Sequence, residues 1–317
     1  MSDKILEIKK IFKIFKIDSG KKLVACNDVN LDIYSEKILG IVGESGCGKS
    51  TLIRMITQLE TPTMGEIIYK DMNLAKFSKQ ETRLNRKDIQ MVFQDSQGAF
   101  NPKMQIKDII VEPLLNFKLL KKVDIEKKAK ELLELVGLDE GYLNCYPHNI
   151  SGGQLQRVGI ARALSLNPKI LICDEATSAL DVSTQNSIVK LLKKVKEEKG
   201  ISIIFVCHDL ALVKSFADEI AVMYLGNIVE ILPGNKIREL AKHPYTKSLL
   251  NSVFSIESAL KNTKIEILKG DIPSPLNRPE GCPFSTRCKN KKEFCNDIEP
   301  KLKKINDYHK IACHLYM

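Results

Sequence analysis

No apolar run in this chain approaches the roughly 18–20 residues that a membrane-spanning helix requires, so the sequence predicts no transmembrane segment. The opening residues, Met1-Ser2-Asp3-Lys4, lead into no uninterrupted apolar stretch, which excludes a secretory signal of the usual form. A cytoplasmic chain is expected, and there nine cysteines do not read as a disulfide framework. Arg-rich clusters with interleaved aromatics are also missing. The formal net charge of +10 therefore does not by itself point to nucleic acid. Residues 236–317 carry 16 Lys/Arg against 9 Asp/Glu, so +7 of the charge lies there. A basic face of that kind suits an anionic membrane surface, nucleic acid or simply water. With 317 residues and 44% apolar content, about two globular domains are expected.

What is present begins with Gly43-Glu44-Ser45-Gly46-Cys47-Gly48-Lys49-Ser50-Thr51, the pattern G-x-x-x-x-G-K-S. Its glycines let the backbone wrap closely and turn N–H groups inward around a polyphosphate. A helix starting near Lys49 would aim its positive end at the same anion. Lys49 supplies a mobile charge for the β- and γ-phosphates, and Ser50 a hydroxyl for Mg²⁺. The flanks agree: Ile38 to Val42 read as a buried strand, and Leu52, Ile53, Met55, Ile56 and Leu59 recur at helical spacing.

Residues 5–17 read as an edge strand closed by a turn at Asp18-Ser19-Gly20, and residues 23–34 as a second strand. Gly65 to Tyr69 and Ile89 to Phe93 add strands, the latter ending at polar Gln94 before a loop from Asp95 to Pro102. Amphipathic helices follow over 106–120 and 124–136, the second closed by Gly137. Ser151 is a natural N-cap, and Ser151-Gly152-Gly153-Gln154 opens a helix through Leu166 as a second potential anion site. Lys169 to Glu175 is an apolar strand ending in two acids, a costly placement unless they have work to do. One of the two can hold Mg²⁺ while its neighbour polarises a water. Ser178-Ala179-Leu180-Asp181, a helix from Thr184 to Lys196, and an apolar strand from Ile201 to Cys207 lead to His208.

In this order the motifs resemble an ATP-binding cassette (ABC) ATPase over about residues 5–235. The fold implied is α/β: a P-loop, RecA-like core with an antiparallel β edge, a helical subdomain at about 95–165, and a small Cys-rich C-terminal extension. The boundary expected is 1–235 for the nucleotide-binding domain and 236–317 for the extension. Gln94 with Asn101-Pro102-Lys103-Met104, His243 to Leu250, and Gly270 to Leu276 resemble the oligopeptide/dipeptide/nickel importer branch. Ser151 to Arg157, with Ala161-Arg162-Ala163-Leu164, is similar to the second of that branch's two paired ATPase subunits. Ser96-Gln97-Gly98-Ala99-Phe100 departs from the branch's usual Pro-Tyr-Ala-Ser-Leu.

The resemblance implies ATP and Mg²⁺ as ligands. Lys49, with the Gly43, Ser45, Gly46, Cys47, Gly48 and Thr51 positions of the loop, would bind phosphates. Ser50, Gln94 and Asp174 would serve Mg²⁺, Glu175 would be the general base, and His208 would contact the γ-phosphate. Adenine would stack on Phe12, with Phe15 second, unless both only pack in the core. Ser151, Gly152, Gly153, Gln154 and Asp181 would face a nucleotide held by a partner cassette. The partners implied are a second ABC ATPase subunit, two transmembrane permease subunits and, indirectly, an extracytoplasmic substrate-binding protein, with no nucleic acid. The chain would act at the cytoplasmic face of the membrane. Three other readings stand beside this: a nickel or other small-solute importer ATPase, a soluble ABC protein on ribosomes or DNA, and an ABC ATPase serving iron–sulfur assembly or redox sensing.

Cys26, Cys145, Cys173 and Cys207 read as core residues, whereas Cys47 lies at a variable loop position. Cys282, Cys288, Cys295 and Cys313 are spaced C-x5-C-x6-C-x17-C in a segment poor in apolar residues. Bare, that segment is expected to be mostly disordered, and four thiols there suggest a metal acting as the staple. The spacing fits neither a zinc ribbon nor a ferredoxin. The importer branch implies a [4Fe–4S] cluster, with zinc and free thiols as the alternatives and His309 and His314 as substitute ligands. Nothing in the sequence places this tail near the phosphate loop.

Overall fold

The computed structural model describes residues 3–17, 20–94, 98–178, 180–259 and 273–316. Expectations that fall on Asp18, Ser19, Asp95, Ser96, Gln97, Ala179, Gly270, Asp271, Ile272 and Met317 lie outside these residues. In chain order the strands are β1 (Lys4–Lys16), β2 (Lys22–Tyr34), β3 (Ile38–Val42), β4 (Met64–Tyr69), β5 (Met72–Asn73), β6 (Ile89–Val92), β7 (Ile170–Asp174), β8 (Ser202–Cys207), β9 (Glu219–Tyr224), β10 (Asn227–Pro233), β11 (Lys303–Asn306) and β12 (His309–Ile311). The helices are α1 (Lys49–Ile56), α2 (Lys79–Asn85), α3 (Ile106–Asn116), α4 (Ile125–Leu135), α5 (Gly152–Leu164), α6 (Val182–Lys199), α7 (Leu210–Val213), α8 (Ile237–Leu240) and α9 (Pro244–Ala259). Among the described residues no helix is long and apolar enough to cross a membrane.

These elements gather into two compact units, residues 1–76 with 207–317, and residues 77–206. Compactness thus groups the C-terminal segment with the phosphate loop. The reason is the pairing of β10 with β12, Glu230 opposite Ile311 and Ile231 opposite Lys310.

In the first unit, an antiparallel sheet runs in the order β2-β1-β4-β5. β1 is therefore an interior strand and not the edge strand expected. Its partial alternation shows that one face is buried but not how many neighbours it has. Leu6, Ile8 and Ile11 are buried on it, and a register shift lies between Ile8 and Ile11. Lys10 there takes φ 48°, so a bulge keeps both sides of the interruption facing inward. A second run of strands follows β11-β12-β10-β9-β3, with β3 parallel to β9. All five residues of β3 are buried. Gly40 is required on it, because a Cβ there would stand 2.2 Å from Val213 Cγ1 on α7.

In the second unit, β8, as far as Val206, β7 and β6 pair in parallel. β7 and β8 are buried throughout, in keeping with near-continuous apolar strands. Helices α3, α4 and α5 pack through Ile106, Ile110, Ala129, Leu133, Leu155 and Val158, all buried. α3 stops short of the predicted Leu120, because Lys118 takes φ 56°. α4 ends as predicted before Gly137, whose φ of 69° is the left-handed conformation that glycine supplies.

Candidate functional site

The first unit carries the phosphate loop between β3 and α1. Gly48 caps α1 at φ 108°, and a Cβ there would lie 2.2 Å from the Ala25 carbonyl oxygen, so only glycine fits. No side chain caps the start of this helix, which leaves its positive end suited to an anion. Lys49 is buried at 4% exposure, and its ammonium donates to the carbonyls of Gly43 at 2.7 Å and Glu44 at 3.1 Å. These are neutral acceptors, so phosphate oxygens compete with them on favourable terms. Ser45 and Gly46 are exposed at the crest, while Gly43 is buried and Ser50 and Thr51 are half-buried. Cys47 is buried and its thiol is pushed up by that burial, which makes it a poor nucleophile.

Glu44 is the best-tethered residue of the loop. The Arg287 guanidinium grips its carboxylate with two hydrogen bonds, 2.8 and 3.1 Å, with the arginine side chain only 5% exposed. The backbone N–H of Glu44 donates to the Tyr245 hydroxyl at 3.0 Å. Arg287 also reaches the Tyr224 hydroxyl at 3.4 Å. Beneath it, Phe284 packs on the rings of Tyr224 at 5.2 Å and Tyr245 at 5.4 Å. None of these residues was a candidate from sequence. Tyr245 lay within a branch-like motif and Arg287 beside a candidate ligand cysteine, but neither signal told what the side chain touches.

The second unit holds the acidic strand end. Asp174, at the end of β7, is 6% exposed. Glu175 follows at φ 45°, a strained conformation for a residue with a Cβ and one that turns its side chain out of the strand direction. Its carboxylate accepts a 2.8 Å hydrogen bond from the Gln94 amide, so the structure joins these two candidates. Ser151 caps α5 in a reciprocal box, accepting from the Gln154 N–H at 3.3 Å while the Gln154 side chain accepts from the Ser151 N–H at 2.8 Å. Gly152 and Gly153 form the first turn, and a Cβ on Gly153 would meet Thr184 Cγ2 at 2.6 Å. Asp181 caps α6, and hydrogen bonds from Ser183 and Thr184 hold its carboxyl well below the usual range.

Phe12 and His208 belong to the first unit. Phe12 is half-buried and opposite Met64, while His208 is exposed just after β8. Cys26, Cys173 and Cys207 are buried as expected, and Cys145 is half-buried.

The four tail cysteines, Cys282, Cys288, Cys295 and Cys313, line one cavity in the first unit, with His243, Phe284 and His314 among its other walls. Cys282 N–H donates to the Cys295 carbonyl at 2.9 Å, which pins two of the four together. Burial pushes the Cys282 thiol up to about 12 and raises those of Cys288 and Cys313. Among the described residues no group of three or more His, Cys, Asp or Glu side chains stands so that it could hold a metal ion. His309 is committed elsewhere: its Nε2 lies 2.8 Å from Glu230, both fully buried. His314 Nε2 bonds the Ile298 carbonyl at 2.8 Å. The tail's missing core is borrowed: Phe284, 2% exposed, packs on aromatics from β9 and α9, which a count of the tail's own apolar residues could not reveal.

Two family descriptions match the chain: "ABC transporter" over residues 26–178 and "Oligopeptide/dipeptide transporter, C-terminal region" over residues 229–295. The chain is 44% identical over 319 residues to the oligopeptide transport ATP-binding protein OppF of Haemophilus influenzae, covering 98% of this chain and 96% of that protein. It is 43% identical over 320 residues to the putative oligopeptide transport ATP-binding protein YkfD of Bacillus subtilis, covering 98% and 95%. Among solved structures, a dimeric post-hydrolysis state of the ATP-binding cassette MJ0796 bound to ADP and Pi superposes with a TM-score of 0.66 at 33% identity, covering 72% of this chain and 98% of that one.

Proposed function

This chain belongs to the ABC transporter ATP-binding proteins of the oligopeptide/dipeptide importers, and from that membership we propose how its residues bind and hydrolyse ATP to drive peptide import. It is an ABC ATPase, the ATP-binding subunit of such an importer. The observation that carries the mechanism is the Gln94–Glu175 hydrogen bond at the end of an acidic strand. Glu175 polarises the attacking water, and Gln94 aims its carboxylate. In the phosphate loop, Lys49 exchanges its carbonyl partners for the β- and γ-phosphates, which the amides of Gly46, Cys47 and Gly48 also cradle. Ser50, Gln94 and Asp174 would hold Mg²⁺, which would neutralise phosphate charge, while His208 contacts the γ-phosphate and adenine stacks on Phe12.

The cassette, residues 1–235 with its helical part at 95–165, works as one of a pair of ATPase subunits at the cytoplasmic face of two permease subunits. The Ser151-Gly152-Gly153-Gln154 helix start and Asp181 of one subunit close over the nucleotide of the other. ATP then holds the pair together and hydrolysis releases it, a population shift driven by contacts to the γ-phosphate. Leu119 and Val123, 55% and 86% exposed between α3 and α4, suit a buried contact with the permease.

The extension, residues 236–317, would hold a [4Fe–4S] cluster on Cys282, Cys288, Cys295 and Cys313. Support comes from the cavity that all four cysteines line and from the all-thiol donor set. When bound, such a group would supply the cross-link that ties the tail's turns together.

Glu175→Gln tests the catalytic reading. The change keeps shape and nucleotide contacts but removes the base, so with the partner subunit present turnover falls at least ~10²-fold while MgATP still binds. Near-normal hydrolysis by that variant overturns the assignment.

A further inference from the structure

We propose that Arg287 of the C-terminal extension is a positioning residue for the nucleotide loop, and that through it the tail sets the chain's affinity for MgATP. The loop places a carboxylate, Glu44, in a segment built to receive a polyphosphate. Left unpaired, that charge opposes the ligand. Arg287 cancels it with a two-point grip from a nearly buried guanidinium, and the bidentate geometry fixes orientation as well as charge. Glu44 is held on three sides: its carboxylate by Arg287, its N–H by Tyr245, and its carbonyl by Lys49 itself. Two of those three holds come from residues beyond 235.

Arg287 in turn is fixed by the thiol-lined turn that carries it. Its N–H donates to the Phe284 carbonyl at 3.1 Å, and Ser285 N–H to the Cys282 carbonyl at 2.9 Å. Cys282 and Cys288, which bracket this turn, face the same cavity as Cys295 and Cys313. A group bridging the four sulfurs therefore locks both ends of the turn and holds Arg287 against Glu44. Binding at one site must change affinity at the other by the same factor, since coupling is reciprocal. This last step rests on the proposed ligation of the four thiols. The action of Arg287 on the loop does not.

The test is a double-mutant cycle on the full chain, read as the Kd for a non-hydrolysable MgATP analogue by titration calorimetry. Arg287→Gln raises Kd about tenfold, within the usual 5–150-fold range of coupling. Adding Glu44→Gln to it removes the unpaired carboxylate and returns Kd to within about threefold of the original. Arg287→Lys, which keeps the charge but loses the fork, lies between. Because the rescued double variant still carries the Arg287→Gln change, its recovery excludes a misfolded tail as the cause. An unchanged Kd for Arg287→Gln, or a double variant no tighter than the single one, overturns the proposal. For the link to the thiols, anaerobically purified protein is equilibrated with an iron chelator. The nucleotide analogue lowers the fraction of iron removed from the original chain and not from Arg287→Gln. Equal losses in both overturn the link. Protein that holds no metal removes the ligation reading alone, and the cycle still decides the role of Arg287.

Discussion

Replacing Tyr245 by Phe deletes one hydroxyl from a fully buried side chain and leaves its ring in place. The ring contacts with Tyr224 at 4.6 Å and Phe284 at 5.4 Å survive, so no cavity term of note enters. What is lost is polar. The hydroxyl accepts the Glu44 N–H at 3.0 Å. A neutral hydrogen bond contributes about 1 kcal/mol net, and because Glu44 is only half-buried water replaces part of it, so a net loss of about 1 kcal/mol is expected. For a unit of about 190 residues this lowers Tm by about 2–4 °C. Melting followed by circular dichroism without nucleotide reads the stability, and titration with an MgATP analogue reads the loop, whose affinity weakens several-fold. A Tm within about 1 °C of the parent, together with an unchanged Kd, would show that the Tyr245 hydroxyl does not hold Glu44.

Two further outcomes follow from the same unit. Burial, only partly offset by Lys310 and reinforced by Asp32, raises the Glu219 carboxyl from 4.5 to about 7. The folded state thus holds a proton that the unfolded state has released between those values. The associated stability is present below about pH 4.5 and lost as pH rises to about 7. Glu219→Gln is therefore expected to leave Tm unchanged at the acid end of that window and to raise stability by about 2 kcal/mol at pH 8; equal effects at both ends would contradict the burial argument. Anaerobically purified chain is expected to be brown, with about four iron and four sulfide per chain, and Cys288→Ser to bleach it and open the tail to proteases. Colourless protein carrying one zinc would replace the cluster with zinc.

The parts legible in the sequence were those whose physics is local. The Gly48–Lys49 helix start, the Ser151 cap and the Gly137 stop each follow from residues a few positions apart, and each stands where the pattern put it. Family order gives Gln94 and Glu175 separate roles at one nucleotide, and neither order nor spacing foretells the hydrogen bond between them. β1 reads as an edge strand in the sequence and is interior in the sheet, because strand neighbours are a long-range property. The tail's poverty in apolar residues was real, but the inference from it was incomplete, since Phe284 shares a core with Tyr224 and Tyr245. The grip of Arg287 on Glu44, across 243 positions, had no local trace at all.

That separation has a consequence for the chain while it is being made. The unit that holds the phosphate loop is assembled from the first 76 residues and the last stretch from 207 onward. At a synthesis rate of 5–20 residues per second, Glu44 leaves the ribosome about 12–50 s before the arginine that neutralises it. During that interval the nascent loop has its glycines and its lysine but also an unpaired acid, and β10 still awaits β12 as its partner. Translation therefore delivers nucleotide competence last, with the C-terminus, so that a prematurely terminated chain bears the whole ATP motif set and yet lacks the residues that hold its loop in register.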